Sequence, residues 1–600
     1  MASGAPNPQP GPGEDRLDSW KEIAAYLKRQ VRTVQRWEKS EALPVHRHLH
    51  EKAGSVYAYR WELDAWWRER QQTLGARAES EEVPADEAAA AEADSSEADA
   101  APRVRSKRGI ALLLLAVAVA ATAIAIAILA RRPSLTARTV VAVLPFRNLS
   151  GDPEQQYFAT GLTEEMIARL ARVLPSRLSV IPLTANYAGS SPQQIGKQFR
   201  ADYLLQGSVR RADGRVAITA QLVQTRTQTV VWGDSFERDL SDVLRIQDDV
   251  ADSISREILD TLPAERAARP RAVNPDAYSL YLKGRFFWNK RSTESLFKAI
   301  DYFQQAIAKD PTYAPAYAGI ADSYNLLGST GYAALPPREA FPKAIAAAQK
   351  ALAIDEHTAE AHVSLGYARL VYEWNPPAAE PEFRRALELN PSYATAHQYY
   401  SYYLIATGKG ADAIAEAGRA EQLDPLSPVI ASALGEMYYF AHQYDRSIEE
   451  SKKAVELDPG FGLGLFNLGR AYGRTGRHDE AIKVYQDALQ HGEDPGLLVA
   501  LGYEYGVTGQ RAEALKIAAR LREMGKTRYI PALYLAAVYT GIGDKPQALA
   551  WFRRAYDERC DYFVYVPHEP MADPLRDDPG FIALLKKTGL PLKAGSTEVR

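Results

Sequence analysis

Cysteine is almost absent from this chain, since Cys560 is the single thiol in 600 residues. One cysteine excludes an internal disulfide framework and any zinc site built on several thiolates. A strong net charge is absent too, because 72 Lys and Arg stand against 75 Asp and Glu. A net charge of −3 excludes a chain that binds nucleic acid along its whole length, so any such site must be local. The length predicts several domains.

Motifs that carry catalysis are missing as well. The triplet GKT begins at Gly525, but Arg520 stands where a phosphate-binding loop has a glycine, and the flanking pattern is helical. Glu164 and Glu165 are adjacent, so their carboxylates diverge on a helix, and HEP at His568 lacks the second histidine of a metalloprotease. The sequence therefore predicts no enzyme activity, no catalytic residue and no cofactor.

One long hydrophobic run interrupts the chain. Residues 109–130, GIALLLLAVAVAATAIAIAILA, contain no charge and have Thr122 as their one polar residue. A helix of this length extends roughly 33 Å, enough to cross a hydrocarbon core of about 30 Å. A buried Ala/Leu helix is an alternative, but such helices rarely run so long. A cleaved signal peptide is a second alternative, but a complete-looking domain precedes the run. We expect one transmembrane helix.

A compact pattern occupies residues 14–78. The stretch LDSWKEIAAYLKRQVRTVQRWEKS predicts two short helices joined by a tight turn. A helix-turn-helix buries the seam between its helices and leaves the polar face of the second helix free for the DNA major groove. The apolar residues of the expected seam are Ile23, Ala24, Leu27, Val31, Val34 and Trp37.

The segment after the second helix completes the head. LHEKAGSVYAYRWELDAWW predicts a hairpin that turns at Gly54 and is followed by a short helix. The whole head resembles the winged helix of the excisionase and MerR-type group. In that group the wing contacts phosphates, so the resemblance implies this role for Lys52, Ser55 and Tyr57. The second helix adds Gln35 and Arg36 for base edges, and Arg32, Thr33 and Lys39 for phosphates.

Two alternatives apply to the head. Residues 14–77 hold thirteen Lys or Arg against ten Asp or Glu, so the segment is only weakly basic, and a protein-binding helical domain stays open as an alternative. His46, His48 and His50 alternate in VHRHLH, which places them on one face of an extended segment. No acidic or sulfur ligand lies nearby in sequence, so we interpret them as ordinary loop histidines and expect no metal site.

Strand and helix patterns alternate beyond the hydrophobic run. TVVAVLPF predicts a buried strand, and ADYLLQGSVRRADGRVAITAQLVQ predicts two strands joined by an Asp-Gly turn. The stretch VAVLPFRNLSGDPEQQYFATGLTEEMIARLARV overlaps the first strand and ends in an amphipathic helix, GLTEEMIARLARV. A small α/β domain over residues 139–262 is expected. These stretches resemble the TolB amino-terminal-like domain, which implies a fold and a sensory or assembly context but no activity and no ligand.

The last half of the chain is helical and repetitive. A DP or NP pair closes helices at Asp310, Asn390, Asp424 and Asp458, and the last two intervals are both 34 residues. Small residues recur within each copy, for example at Gly469, Gly476, Ala481 and Ala488, where two antiparallel helices cross closely. This pattern resembles the tetratricopeptide repeat, with about eight copies over residues 277–558. Residues 559–590 are expected to cap the array.

Taken in order, these segments predict a multidomain chain: a small winged helix-turn-helix, one transmembrane helix, a small α/β domain and an all-α tetratricopeptide solenoid. The assigned ranges are 1–13 (disordered), 14–78 (head), 79–108 (acidic linker and basic flank), 109–130 (span), 139–262 (α/β domain), 277–558 (repeats) and 559–590 (cap). The order resembles membrane-bound one-component transcriptional regulators of the CadC and ToxR kind, although their heads are of the OmpR type.

That resemblance implies a DNA-binding regulator in the bacterial inner membrane, with the N-terminus in the cytoplasm and the C-terminus in the periplasm. Positive charges flank both ends of the run almost equally, so the orientation follows from the head, because DNA is cytoplasmic. The expected partners are DNA, a protein or peptide on the concave face of the solenoid, the lipid bilayer, and a second copy of the chain as a candidate. The alternative is a membrane-anchored scaffold whose head binds protein.

Overall fold

The computed structural model describes residues 16–17, 19–27, 31–40, 43–47, 56–60, 62–63, 66, 139–173, 177–212, 214–259 and 273–590. The chain divides into two compact units, Met1–Ala127 and Ile128–Arg600. The first unit holds the head, and the second holds the α/β domain together with the helical repeats.

The head combines two helices with a small antiparallel sheet. Helix α1 (Trp20–Tyr26) begins at Ser19, whose hydroxyl accepts a hydrogen bond from the Glu22 backbone N–H at 3.3 Å, as an N-cap residue does. Helix α2 spans Val31–Ser40. The strands β1 (Arg16–Leu17), β2 (His46–Arg47) and β3 (Val56–Tyr59) lie in the order β1-β3-β2. As the seam predicts, the core between them includes Ile23, Ala24, Val34 and Trp37.

The expectation of a membrane-spanning element needs correction. Among the residues that the structure describes, no helix has the length and apolar composition that a bilayer crossing requires. The two longest described helices, Gln156–Val173 and Pro337–Ile354, have 18 residues each and bury only one face against protein, whereas a span must be apolar all round. The predicted transmembrane helix, the single-pass inner-membrane localisation and the bilayer as a partner are therefore unsupported. The run 109–130 on which they rested lies outside the described residues.

A mixed six-stranded sheet forms the α/β domain. The strands are β4 (Thr139–Val143), β5 (Arg147–Asn148), β6 (Leu178–Pro182), β7 (Tyr203–Ala212), β8 (Arg215–Gln224) and β9 (Thr229–Asp239). Their order is β6-β4-β7-β8-β9, with β5 beside β7. β4 pairs in parallel with β6 and β7, and the hairpin of β7 and β8 turns at Gly214, whose φ of +75° suits glycine.

Helices cover both faces of this sheet. α3 (Gln156–Val173) and α5 (Val243–Leu259) pack on one face, where β8 contributes Val216, Ile218, Ala220 and Leu222 in strict alternation. The short α4 (Pro192–Phe199) packs on the other face through Ile195. Leu426, which lies beyond the α/β domain among the repeats, also packs against that second face.

Sixteen helices follow as eight antiparallel pairs. They are α6 (Pro275–Asn289) with α7 (Thr293–Lys309), α8 (Ala314–Gly328) with α9 (Pro337–Ile354), α10 (Ala359–Val371) with α11 (Pro376–Leu389), α12 (Ala394–Ala406) with α13 (Gly410–Leu423), α14 (Pro428–Phe440) with α15 (Tyr444–Leu457), α16 (Gly462–Arg474) with α17 (His478–Leu489), α18 (Pro495–Val507) with α19 (Arg511–Met524), and α20 (Ala532–Ile542) with α21 (Lys545–Asp557). α22 (Pro579–Lys586) packs on α21.

The small residues of each repeat serve two different purposes. A Cβ on Gly469 would stand 2.3 Å from the ring of Tyr485, and Ala481 is fully buried, so both positions mark the close helix crossing. Gly476 instead ends its helix with a φ of +77°, a left-handed conformation that side chains with a Cβ disfavour. One sequence pattern therefore combines a packing requirement with a turn requirement.

The α/β domain shares a core with the first repeat. Phe158 on α3 meets Tyr278 on α6 edge-on, with ring centroids 6.4 Å apart. Tyr281 donates a hydrogen bond to Glu165 at 3.0 Å, and the Asn289 amide donates to Glu164. Because apolar and polar contacts join the two parts, the α/β domain and the solenoid form one packed body.

We expect Gly469→Ala to destabilise the protein by about 1–3 kcal/mol, because the new methyl group overlaps the Tyr485 ring. Gly418→Ala is the matched control, since Gly418 is also helical and has open space around its Cβ position. That change should leave the protein unaltered or stabilise it slightly. Chemical denaturation measures both, and equal midpoints for the two variants would show that the crossing is not tight.

The carboxyl of Glu164 should make stability depend on pH. Burial raises its pKa to about 7, although the Arg285 guanidinium lowers it. The folded state therefore keeps a proton that the unfolded chain releases, and stability should fall as the pH rises from about 4.5 towards 7. Glu164→Gln keeps an acceptor for Asn289 and removes the charge, so the variant should be more stable than the parent at pH 8.

Calorimetric melting temperatures of the Glu164→Gln variant and the parent between pH 4 and 8 measure this difference. It should shrink to nothing below about pH 4.5, where both side chains are neutral. Glu257→Gln, an equivalent change at an exposed helical residue, is the control and should show no such divergence. A constant difference between Glu164→Gln and the parent across the range would contradict the assignment.

Candidate functional site

The second helix of the head carries most of the predicted DNA contacts. α2 buries Val34 and Trp37 against α1, and Thr33 is half-buried. The Trp37 ring also packs on Trp66, with centroids 5.5 Å apart. The helix therefore has a fixed inner side. Four further predicted residues occupy positions on it, but their side chains lie outside the described part: Arg32, Gln35, Arg36 and Lys39.

The hairpin of β2 and β3 forms the predicted wing. Tyr57 lies on β3 opposite His46 of β2, and the two rings stack with centroids 5.1 Å apart. His46 also makes a 2.8 Å contact with the Glu62 carboxylate, so it has a structural role. Lys52 and Ser55, like His48 and His50, lie outside the described residues.

Metal and phosphate sites have no geometric support among the described residues. In that part of the chain, no group of three or more His, Cys, Asp or Glu is arranged to hold a metal ion. Gly525 of the GKT triplet caps the C-terminal end of α19, whereas a phosphate loop must precede a helix.

The concave side of the solenoid is occupied by the chain itself. Beyond α21, residues 560–575 form three short 3₁₀ turns, Asp561–Val564, Val566–His568 and Pro570–Leu575. They run against the inner helices α10, α12 and α20. Phe563 and Val564 in this segment are completely buried. We name residues 560–575 the channel segment, because they fill one side of the channel that the repeats enclose.

A buried ionic cluster ties the channel segment to the inner helices. The guanidinium of Arg470 on α16 donates to Glu436 on α14 at 2.7 Å and contacts Glu569 of the channel segment at 3.4 Å. Only 1% of the Arg470 side chain is exposed. Its guanidinium also lies over the Tyr439 ring, 4.1 Å from the centroid. Tyr439 and Tyr562 donate hydrogen bonds to Glu569 at 2.8 and 2.7 Å.

The segment between α8 and α9, residues 329–336, is an insertion in the second repeat. It connects that repeat to the last one. Thr330 donates its backbone N–H to Asp561 at 2.8 Å, and its carbonyl accepts from Tyr534 of the last repeat at 2.6 Å. Arg338 donates to the Asp557 carbonyl at 2.7 Å. The second repeat therefore contacts the eighth, and the described repeats form a closed turn around the channel.

These channel residues carry no signal that a motif search detects. Arg470 and Glu436 sit one repeat apart, 34 residues, at the same position of successive inner helices, and Tyr402 precedes them at the same interval. An alignment of the repeats at their 34-residue period places these three side chains at equivalent positions of neighbouring helices. No periodicity leads to the channel segment, which lies beyond the last repeat, within residues 559–590 for which the sequence predicts a cap.

Models of two kinds of family match the chain, one for a regulator domain and two for the tetratricopeptide repeat. Residues 137–253 match the second domain of HilA/YgeH-like transcriptional regulators, the segment for which the residues resembled the TolB amino-terminal-like domain. Residues 369–428 and 462–494 match tetratricopeptide repeat models. The chain thus contains a transcriptional-regulator-like domain and tetratricopeptide repeats.

Individual relatives overlap only parts of the chain. A protein named Putative adenylate cyclase 3 from Rhizobium meliloti (strain 1021) is 33% identical over 39% of this chain and 41% of its own length. Small glutamine-rich tetratricopeptide repeat-containing protein 2 from Mycosarcoma maydis is 36% identical over 13% of this chain and 22% of its own length. The match to a solved structure, a human IFIT1 dimer with m7Gppp-AAAA, covers 52% of this chain and 77% of the IFIT1 chain, at 16% identity and a TM-score of 0.38. The chain spans less than half the length of both named curated relatives.

We expect Arg470→Ala to destabilise the protein by about 3–5 kcal/mol, because it leaves Glu436 and Glu569 buried without their shared cation. Arg226→Ala, at an exposed residue of the turn between β8 and β9, should cost less than about 0.5 kcal/mol. Denaturant unfolding of both variants measures the difference. If the two variants unfold at the same denaturant concentration, the buried cluster does not hold the channel segment.

Proposed function

We propose that the chain is a DNA-binding transcriptional regulator whose head recognises an operator and whose tetratricopeptide repeats bind a protein partner. The single observation that carries this function is the match of residues 137–253 to a domain of HilA/YgeH-like transcriptional regulators. A domain of that kind in one chain with a head that resembles a helix-turn-helix favours regulation over scaffolding.

The geometry of the head supports DNA binding in two ways. α2 is held from one side by the core residues Val34 and Trp37, so its other positions are available for a groove. The β2–β3 hairpin follows it, in the place of a wing. Gln35 and Arg36 lie about one turn into the helix, where side chains commonly meet base edges, and arginine pairs with guanine through two hydrogen bonds.

The rival function is a scaffold whose head binds protein. Tetratricopeptide repeats suggest protein partners in either case, so they do not separate the two. The discriminating property is sequence-selective DNA binding by residues 1–78. A gel-shift series with that fragment on random and selected duplexes decides between them, since a protein-binding head would retard no duplex selectively.

Arg36→Ala should weaken binding to the selected operator by about 1–3 kcal/mol and blur its sequence preference, because a base contact is lost. Lys39→Ala should instead weaken all sequences alike and reduce the salt slope by about one unit, since it removes a phosphate contact. Titrations of both variants at several salt concentrations measure these effects.

Trp37→Ala serves as the folding control, because it empties the core between α1 and α2 and should cost roughly 3–5 kcal/mol. Circular dichroism must show Arg36→Ala folded where Trp37→Ala is not. Wild-type affinity and selectivity in Arg36→Ala would mean that α2 does not read the bases.

A further inference from the structure

The channel is not completely filled by the channel segment. A cavity of about 1030 Å³ remains between residues 560–575 and the inner helices. This volume lies at the upper end of small-molecule sites, which occupy roughly 300–1,000 Å³. The insertion after α8 contributes Thr330 and Tyr332 to its lining. The channel therefore holds a cavity of ligand size, which we name the channel cavity.

Tyrosine rings form one continuous wall of the channel cavity. Tyr367 and Tyr399 have ring centroids 4.9 Å apart, Tyr399 and Tyr402 6.5 Å, and Tyr402 and Tyr565 5.8 Å. They come from α10, α12 and the channel segment, and all four line the cavity. Aromatic faces carry partial negative charge and attract cations within about 6 Å of the ring centroid.

The fixed charges that line the cavity are negative on balance. Six carboxylates line it against three Lys or Arg side chains. Three of these carboxylates, Glu436, Asp561 and Glu569, are buried, and the buried guanidinium of Arg470 contacts both glutamates. Three carboxylates against one guanidinium leave an excess of negative charge there. Burial raises the pKa of Asp561 to about 6, so this carboxyl is mostly ionised at neutral pH.

Two polar groups in the wall have unused hydrogen-bonding capacity. Oδ1 of Asp561 accepts from Thr330 at 2.8 Å, and Oδ2 accepts a longer hydrogen bond, 3.4 Å, from the Tyr367 hydroxyl. The Tyr565 hydroxyl is buried without a hydrogen-bond partner in the described part of the chain, and the residue is 3% exposed. Burial raises the pKa of Tyr565 most, and the charge of Asp561 raises it further, so the two groups lie within electrostatic range. A buried unpaired hydroxyl costs free energy unless a ligand satisfies it.

We propose that the channel cavity binds a small organic cation, an alkylamine of diamine size, with its ammonium held between the tyrosine wall and Asp561. An ammonium donates hydrogen bonds and accepts none, which matches the Asp561 carboxylate. A carboxylate or phosphate ligand would meet the excess negative charge of the cavity. This site is independent of DNA binding by the head.

Isothermal titration of the full chain with putrescine tests the proposal, with 1,4-butanediol as the neutral analogue and succinate as the anionic one. The expected result is saturable binding of one putrescine per chain and none of the diol or succinate at the same concentrations. Equal binding of the diol would overturn recognition by charge, and absence of saturable putrescine binding would overturn the site.

Matched variants place the ligand. Tyr399→Leu removes a ring and should weaken putrescine binding about tenfold, whereas Tyr399→Phe keeps the ring and should stay within about twofold. Asp561→Asn keeps an acceptor for Thr330 and should also lose about tenfold. Asp355→Asn, the same change at an exposed turn, is its control.

Melting curves for each variant confirm folding before titration. Because Tyr399 is only half-buried, its variants remain informative if Asp561→Asn unfolds. Equal affinities for the leucine and phenylalanine variants would show that putrescine binds elsewhere.

Discussion

The charge of Arg470 is the constraint on which the interior of the solenoid depends. A guanidinium with 1% of its side chain exposed must be neutralised by groups that are themselves held in place, because an unpaired buried charge costs several kcal/mol. Glu436 comes from the neighbouring repeat and Glu569 from beyond the last one. Tyr439 supplies an aromatic face. The ion cluster therefore fixes where residues 560–575 lie, and with them the shape of the channel.

Closure of the repeats follows from the same arrangement. A solenoid stabilised only by contacts between neighbouring repeats has free ends and an open groove. Here the insertion at Thr330 bonds to Asp561 and Tyr534, so contacts more than 200 residues apart in sequence are added to the nearest-neighbour ones. At the other end, Tyr281 and Asn289 bond to the α/β domain. The first repeat therefore packs on the α/β domain on one side and on the second repeat on the other, and these parts share one core.

Local features of this chain are predictable from its sequence, whereas features that need long-range contacts are not. The seam of Val34 and Trp37, the Gly214 hairpin and the helical pairing around Gly469 all follow from spacing within about 40 residues. The membrane-spanning element was inferred from composition alone, and no described helix supports it. The position of Glu569 was not predictable, because nothing periodic links the channel segment to α16. The base contacts assigned to α2 remain predictions, because the side chain of Arg36 lies outside the described part of the chain.

The 34-residue period gives the channel wall a further property. Tyr402, Glu436, Arg470 and Glu504 are each separated by one period, so the fold places them at the same position of four successive inner helices. The first three are linked by hydrogen bonds, at 2.7 Å from Tyr402 to Glu436 and 2.7 Å from Arg470 to Glu436, while Glu504 turns to His478 at 2.8 Å. The helix geometry is the same in each repeat, whereas the side chain at a given position differs. One substitution per repeat therefore changes the chemistry of the wall without changing its shape. A solenoid can thus acquire a charged, ligand-sized interior while the small residues that set its helix crossings stay the same.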